Sequence, residues 1–181
     1  MNFALRTFSV VLTISSTISC GVIEAEEVSM EDFEEDALQI IHGGTFQYSE
    51  KGVIRNVLKA GRLERWKDDD LINEVWQCSE GFTLYIEGNN INHEAILSGG
   101  RGLYDADMGH LIAHDNVILI NNEGEKLQTE YLVWSNDSDR VYTNRPVRIE
   151  TLTGTLEGKG LESDSKFENY RILNPTGAFE L

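Results

Sequence analysis

The sequence predicts an all-β fold whose strands stack into folded sheets. Beyond residue 43, short runs of β-type residues alternate with turns rich in Gly, Asn and Asp, and apolar residues do not recur at helical spacing. A second observation is an internal repeat of about 30 residues in this region. Because such units bury a continuous core only when neighbouring copies stack, the repeat predicts strands packed copy upon copy.

Three copies of the repeat begin at Leu97, Leu127 and Leu156, and a degenerate fourth copy begins at Leu58. Four positions recur in every unit. The second lies two positions after the first, the third lies three positions after the second, and the fourth lies two positions after the third. A strand alternates faces with a period of two, so the change to three predicts a bulge or corner inside every unit.

One face of the repeat is expected to point into the interior of the protein. In the second copy, alternate positions from residue 141 to 149 are mostly apolar, whereas the positions between them are mostly polar. Alignment of the first copy on the second gives the corresponding face there. Periodicity alone leaves two interpretations open, a dry sandwich core or an apolar groove. The residues predicted to line this interior are Leu111, Ala113, Val117, Leu119, Leu127, Thr129, Val141, Thr143, Val147 and Ile149.

The start of the chain is predicted to be a targeting segment. Arg6 precedes an apolar stretch over residues 8–18, which is shorter than the roughly 20 residues that a transmembrane helix needs. Cys20 follows a small residue and is similar to the cysteine of a bacterial lipobox, which receives lipid and becomes the new N-terminus. An ordinary signal cleaved nearby is the alternative. The predicted organisation is a lipoprotein signal peptide at 1–19, a lipidated Cys20 with an acidic tether at 20–43, and a β-domain at 44–181.

The charge of the mature chain limits its partners. After removal of the first 19 residues, which hold one basic residue and no acid, 14 basic and 31 acidic residues remain, a net charge of −17. This field repels nucleic-acid phosphates and anionic membrane surfaces, so nucleic-acid binding and electrostatic docking on a bilayer are both disfavoured.

No catalytic site, metal site or cofactor is expected. Cys78 lies in a strand-like run without the paired His and Asn or Asp that a nucleophilic cysteine needs, so it is interpreted as a small buried apolar residue. His110 and His114 are four residues apart, but structural metal sites need three or four convergent ligands. The protein is therefore expected not to be an enzyme.

The repeat resembles the OstA-type β-jellyroll repeat, and nearly the whole mature chain resembles the LptC family. The residues that carry this resemblance are the ranges 46–52, 115–119, 127–130, 158–161 and 177–179. The family is the periplasmic component attached to the inner-membrane ABC transporter that exports lipopolysaccharide. The resemblance implies a V-shaped, twisted open β-jellyroll whose interior holds the acyl chains of lipid A.

The resemblance also implies partners and a location. The transporter would bind at the N-terminal end and a periplasmic bridge protein of the LptA type at the C-terminal end, both by β-augmentation. The candidate edge residues are Phe46, Tyr48, Phe179 and Leu181. The chain would lie in the periplasm, anchored to the inner membrane through Cys20, although many family members use a transmembrane helix instead. The alternative is an adaptor or structural envelope lipoprotein, or a bridge-type OstA-like protein, without its own lipid site.

Overall fold

A computed structural model describes residues 37–67, 74–105 and 109–176, and these residues form ten β-strands and no helix. All neighbouring strands pair antiparallel. The prediction of an all-β, jellyroll-like fold is confirmed. The strands are β1 (Gln39–Glu50), β2 (Val53–Lys67), β3 (Glu74–Ile86), β4 (Ala95–Gly99), β5 (Arg101–Asp105), β6 (His110–Asn121), β7 (Lys126–Ser135), β8 (Arg140–Thr151), β9 (Gly154–Asp164) and β10 (Tyr170–Thr176).

The strands form one continuous sheet in the order β1, β2, β3, β4, β6, β7, β8, β9, β10. β5 continues the line of β4 beyond Gly100, and both strands pair with β3 on one side and with β6 on the other. If β4 and β5 are taken as one interrupted strand, neighbours in the sheet are neighbours in the sequence, which antiparallel strands joined by short turns allow. β1 and β10 are the outermost strands of the described sheet.

Each long strand bends at a corner near its middle. The pairing register shifts at this corner between β2 and β3, between β6 and β7, and again on both sides of β8. In β6 the corner residues Asp115 and Asn116 have positive φ angles of 65° and 53°, a conformation that Asp and Asn tolerate better than most residues. In β9 the corner residue is Gly160, with φ of 81°. The bulge predicted from the change in spacing is confirmed.

The corner divides the sheet into two arms. The first arm contains the strand halves that lead to the turns at 51–52, 87–94, 122–125 and 152–153, and the second arm contains those that lead to the turns at 136–139 and 165–169. Apolar side chains from both arms belong to one buried cluster. The inner faces of the two arms therefore pack against each other, and the interior lies between them.

Rows of paired apolar residues cross the sheet from strand to strand. In the first arm, Leu97 pairs with Leu119, Leu119 with Leu127, and Leu127 with Ile149. These four side chains are at most 1% exposed, and burial of each contributes about 1.5–3 kcal/mol. Because Leu97 and Leu127 begin successive copies of the repeat, the copies stack in register, as the sequence predicted.

β1 begins earlier than the predicted start of the domain at residue 44. The strand starts at Gln39, and Ile41 pairs with Leu63 of β2. The glycine pair that follows lies at the corner of β1, where Gly43 has a φ of 65° and a Cβ atom on Gly44 would lie 2.5 Å from Cδ1 of Leu63. Glycine is needed there for the bend and the close approach, and it interrupts the alternation by which a strand is recognised in a sequence.

Candidate functional site

A cavity of about 200 Å³ lies between the two arms, near the end of the sheet that begins with β1. Strands β1, β2 and β3 form its wall on the first arm, and strands β2, β3, β5, β6 and β7 contribute on the second. Most of the wall is apolar. The lining residues are Phe46, Tyr48, Asn56, Leu58, Leu63, Trp76, Leu84, Tyr104, Gly109, Leu111, Trp134, Asn136 and Asp137.

Aromatic rings form the part of the wall nearest to β1. Phe46 of the first arm and Trp76 of the second arm meet edge to face, with ring centroids 5.0 Å apart and an interplanar angle of 61°. This contact joins the two arms beside the cavity. Tyr104 pairs with Trp76 on the next strand, and burial is the main cause that raises the pKa of its hydroxyl. Rings of this kind offer a ligand a large apolar surface with few rotatable bonds.

A hydrogen bond between two amides crosses the border of the cavity. Nδ2 of Asn56 donates to Oδ1 of Asn136 over 3.2 Å, and Oδ1 of Asn56 accepts a bond of 3.2 Å from the backbone N–H of Glu87. Asn56 is 7% exposed, so these bonds satisfy a buried amide. The bond to Asn136 also connects β2 of the first arm to the β7–β8 turn of the second. An apolar wall with a few fixed polar groups is the usual composition of a small-molecule site.

All ten residues predicted to line the interior lie at buried positions, with exposed fractions of 8% or less. Leu111 lines the cavity. Val117, Thr129 and Val147 border a shallow depression at the corner of β6, β7 and β8. Their contact with a lipid stays a prediction. The remaining members, Ala113, Leu119, Leu127, Val141, Thr143 and Ile149, are buried between the arms or at the corner.

The structure describes two of the four residues predicted to form partner edges. Phe46 and Tyr48 lie on β1, an outermost strand, but they also line the cavity. Phe179 and Leu181 lie outside the described residues, as does the predicted lipidation site at Cys20. Contact of these edges with partner proteins stays a prediction.

Sequence reasoning did not find most of the cavity wall. Tyr104 and Trp134 occupy the same position in successive copies of the repeat, so the alignment of copies contained a signal for both. Leu58 opens the degenerate copy and could have been found in the same way. Trp76 and Leu84 had no such signal, because their place beside the cavity depends on how the two arms pack.

The interior is filled at the end of the sheet that contains β9 and β10. Phe167 lies in the β9–β10 turn, yet its side chain is 0% exposed and belongs to the core cluster. Its ring stacks on that of Tyr170, with centroids 4.6 Å apart and an interplanar angle of 20°. The interior therefore has a cavity near β1 and close packing near β9.

The described residues contain one cysteine, which is buried, and no cluster that could hold a metal ion. The Cys78 side chain is 0% exposed, and burial raises the pKa of its thiol to about 12, so it stays protonated at neutral pH. This agrees with its interpretation as a small apolar residue. Within the described ranges, His, Cys, Asp and Glu form no group of three or more that could hold a metal ion.

A comparison with protein families identifies the group to which this architecture belongs. A family model described as "Lipopolysaccharide-assembly, LptC-related" matches residues 8–178, a range that includes all ten strands. The chain belongs to the LptC family. No curated protein matches it. The family resemblance expected from the repeat and its flanking segments is confirmed.

LptC membership gives the chain a role in lipopolysaccharide transport within the cell envelope. The LptC family consists of transport and binding proteins rather than enzymes. Among the residues that the structure describes, no helix has the length and apolar character needed to cross a bilayer.

Proposed function

We propose that this LptC-family chain accepts lipopolysaccharide from the inner-membrane ABC transporter and passes it to a periplasmic bridge protein of the LptA type. The acyl chains bind between the two arms of the sheet, and the sugar head group stays outside. The observation that carries this proposal is the apolar cavity, which is lined by aromatic and leucine side chains from both arms.

The charge of the protein also favours acyl chains as the part that is bound. A chain with a net charge of −16 does not attract an anionic glycolipid through its overall field. Binding energy must therefore come from the removal of apolar surface from water, which contributes about 0.8 kcal/mol for each buried CH₂ group. The wall near Trp76, Tyr104 and Trp134 provides such surface.

The size of the cavity requires the arms to separate when lipid binds. Pockets that enclose drug-sized ligands have volumes of roughly 300–1,000 Å³, whereas this cavity measures about 200 Å³. Lipopolysaccharide carries several acyl chains, so most of the inner face must become accessible. In this proposal the buried rows of apolar residues become lipid contacts in the loaded state.

The proposal for the N-terminus is a signal peptide over residues 1–19, followed by lipidation at Cys20 and an acidic tether. This anchor would hold the domain at the periplasmic face of the inner membrane. The outer edge of β1, the first strand of the described sheet, would pair with the transporter, and the C-terminal edge would pair with the bridge protein, because edge strands accept a further strand.

Site-specific photo-crosslinking in living cells tests the lipid contact. A photoreactive phenylalanine analogue at Tyr104 replaces one aromatic side chain of the cavity wall by another and should capture lipopolysaccharide. The matched control is the same analogue at Leu152, which is 90% exposed in the β8–β9 turn and should capture little or none. Capture of proteins alone from position 104 would favour the adaptor function and contradict the proposal.

A further inference from the structure

The β9–β10 turn contains a large apolar side chain in a conformation that such residues rarely adopt. Phe167 has a φ of 60° and is fully buried, although it lies within a turn of five residues between two strands. A positive φ at a bulky residue is unfavourable and persists only where the surroundings enforce it. The turn is therefore shaped to insert this ring into the interior.

Contacts from the opposite arm hold the turn in place. Nδ2 of Asn121, at the end of β6, donates a buried hydrogen bond of 3.0 Å to the carbonyl oxygen of Phe167. The hydroxyl of Tyr170 donates to Oε1 of Glu125 over 3.4 Å. Asn121 and Glu125 lie at the β6–β7 turn of the first arm, whereas Phe167 and Tyr170 lie at the tip of the second arm.

Asn121 is suited to this position because it organises its own turn as well. Its Oδ1 atom accepts hydrogen bonds from the backbone N–H groups of Glu123 and Glu125, over 3.1 and 2.9 Å. The amide is 6% exposed, so its bond to Phe167 is shielded from water. One side chain thus fixes the tip of the first arm and joins it to the second.

We infer that Phe167 is an exit plug, a residue that ends the acyl-chain path in the lipid-free chain and must leave the interior before lipid moves on toward β10. This inference rests on the proposed function and adds a direction to it. An acyl chain enters the cavity near β1 first. The region beside β9 opens only when the contacts of Asn121 with Phe167 and of Glu125 with Tyr170 break. Among the residues that the structure describes, two hydrogen bonds cross this seam, and the bond between Tyr170 and Glu125 is long, so the seam can open while the strands stay paired.

A reversible lock across the seam tests the plug. The full chain carries Glu125→Cys and Tyr170→Cys, whose native side-chain oxygens lie 3.4 Å apart. A flexible bifunctional methanethiosulfonate reagent joins the two thiols through disulfides, and a reductant releases them. Cys78 does not interfere because it is buried and its thiol pKa is raised. The chain without the two introduced cysteines, treated with the same reagent, is the control.

The readout is photo-crosslinking to lipopolysaccharide from two positions, Tyr104 in the cavity wall and Leu156, which packs against the core on β9. Without the lock, both positions should capture lipid. With the lock, capture from position 156 should fall by at least about tenfold and return after reduction, while capture from position 104 changes less than about twofold.

Three results would overturn the inference. Equal capture from position 156 in the locked and unlocked protein would show that the plug does not control the path. Failure of position 156 to capture lipid even without the lock would show that the path does not reach β9. Both results leave the proposed function standing, whereas absence of capture from position 104 would remove the proposed function and the plug together. Phe167→Leu, which keeps an apolar side chain with less volume, should raise capture from position 156 about two- to fivefold.

Discussion

The two ends of the interior differ, although the same repeat builds both. Near β1, aromatic rings and leucines from the two arms leave a cavity of about 200 Å³ between them. Near β9, Ile149 and Leu161 are 0% exposed, and Phe167 of the β9–β10 turn occupies the space between the arms. One inner face thus borders a cavity at one end and a closed core at the other. Side chains alternate between the two faces of the strands in the same way at both ends. The difference is whether a side chain such as that of Phe167 fills the space between the arms.

Truncation of a side chain should distinguish the two ends most strongly. Ile149→Ala creates a new cavity in the closed core and should lower the free energy of unfolding by about 3–5 kcal/mol. Leu58→Ala only enlarges an existing cavity from its 7% exposed position, and we expect about 2 kcal/mol. Urea denaturation of both variants measures the difference. Equal losses would mean that the region near β1 is packed as tightly as the region near β9.

Enlargement of a side chain should lower the stability of the protein where the interior is filled, and should change it little beside the cavity. Leu119 lies in the fully buried row that leads through Leu127 to Ile149, so Leu119→Phe overpacks this row and should destabilise the protein by about 1–3 kcal/mol. Leu58→Phe extends into the cavity, so its stability should change by less than about 1 kcal/mol, while lipid capture from position 104 falls. Thermal unfolding and photo-crosslinking test the pair. A strongly destabilised Leu58→Phe variant would contradict the cavity.

Titration of Cys78 tests how dry the core is beside the cavity. Its thiol pKa is raised from 9.0 to about 12 by burial, so the folded state retains the proton longer than the unfolded state. The stability that this burial supports is fully present below pH 9 and decreases as the pH rises from 9 to 12, by at most about 1.4 kcal/mol per pH unit. Unfolding free energies at pH 8 to 10.5, compared with those of Cys78→Ala, measure the slope. An identical slope in both proteins would show that the thiol is hydrated.

The aromatic contact that joins the arms near β1 should have the smallest effect. A double-mutant cycle with Phe46→Leu and Trp76→Leu should give a coupling energy of about 0.5–1.5 kcal/mol, as for other edge-to-face pairs. The hydrogen bond between Asn56 and Asn136 crosses the same border and serves as an independent comparison. A coupling energy near zero would mean that the two rings are adjacent without holding the arms together.

The site was less predictable than the fold because its residues are distant in the sequence. Alignment of the repeat placed Leu111 and Val141 on the inner face, and both are at most 1% exposed. The same alignment could not separate a groove from a core. Trp76 and Phe46 illustrate the reason, since each follows ordinary strand alternation and the cavity beside them arises only where the two arms meet.

The sequence by itself determined the all-β class, the stacking of repeat units, the corner within each unit, the inner face and the LptC-family resemblance. These features follow from local periodicity, because a strand alternates with a period of two and a bulge shifts that period. Tertiary structure alone decided that the interior is hollow near Trp76 and filled near Phe167. The packing between the arms depends on which turns meet across the interior. Phe167 lies in a turn, where side chains do not alternate between two faces, so the sequence pattern did not predict that it is buried in the core.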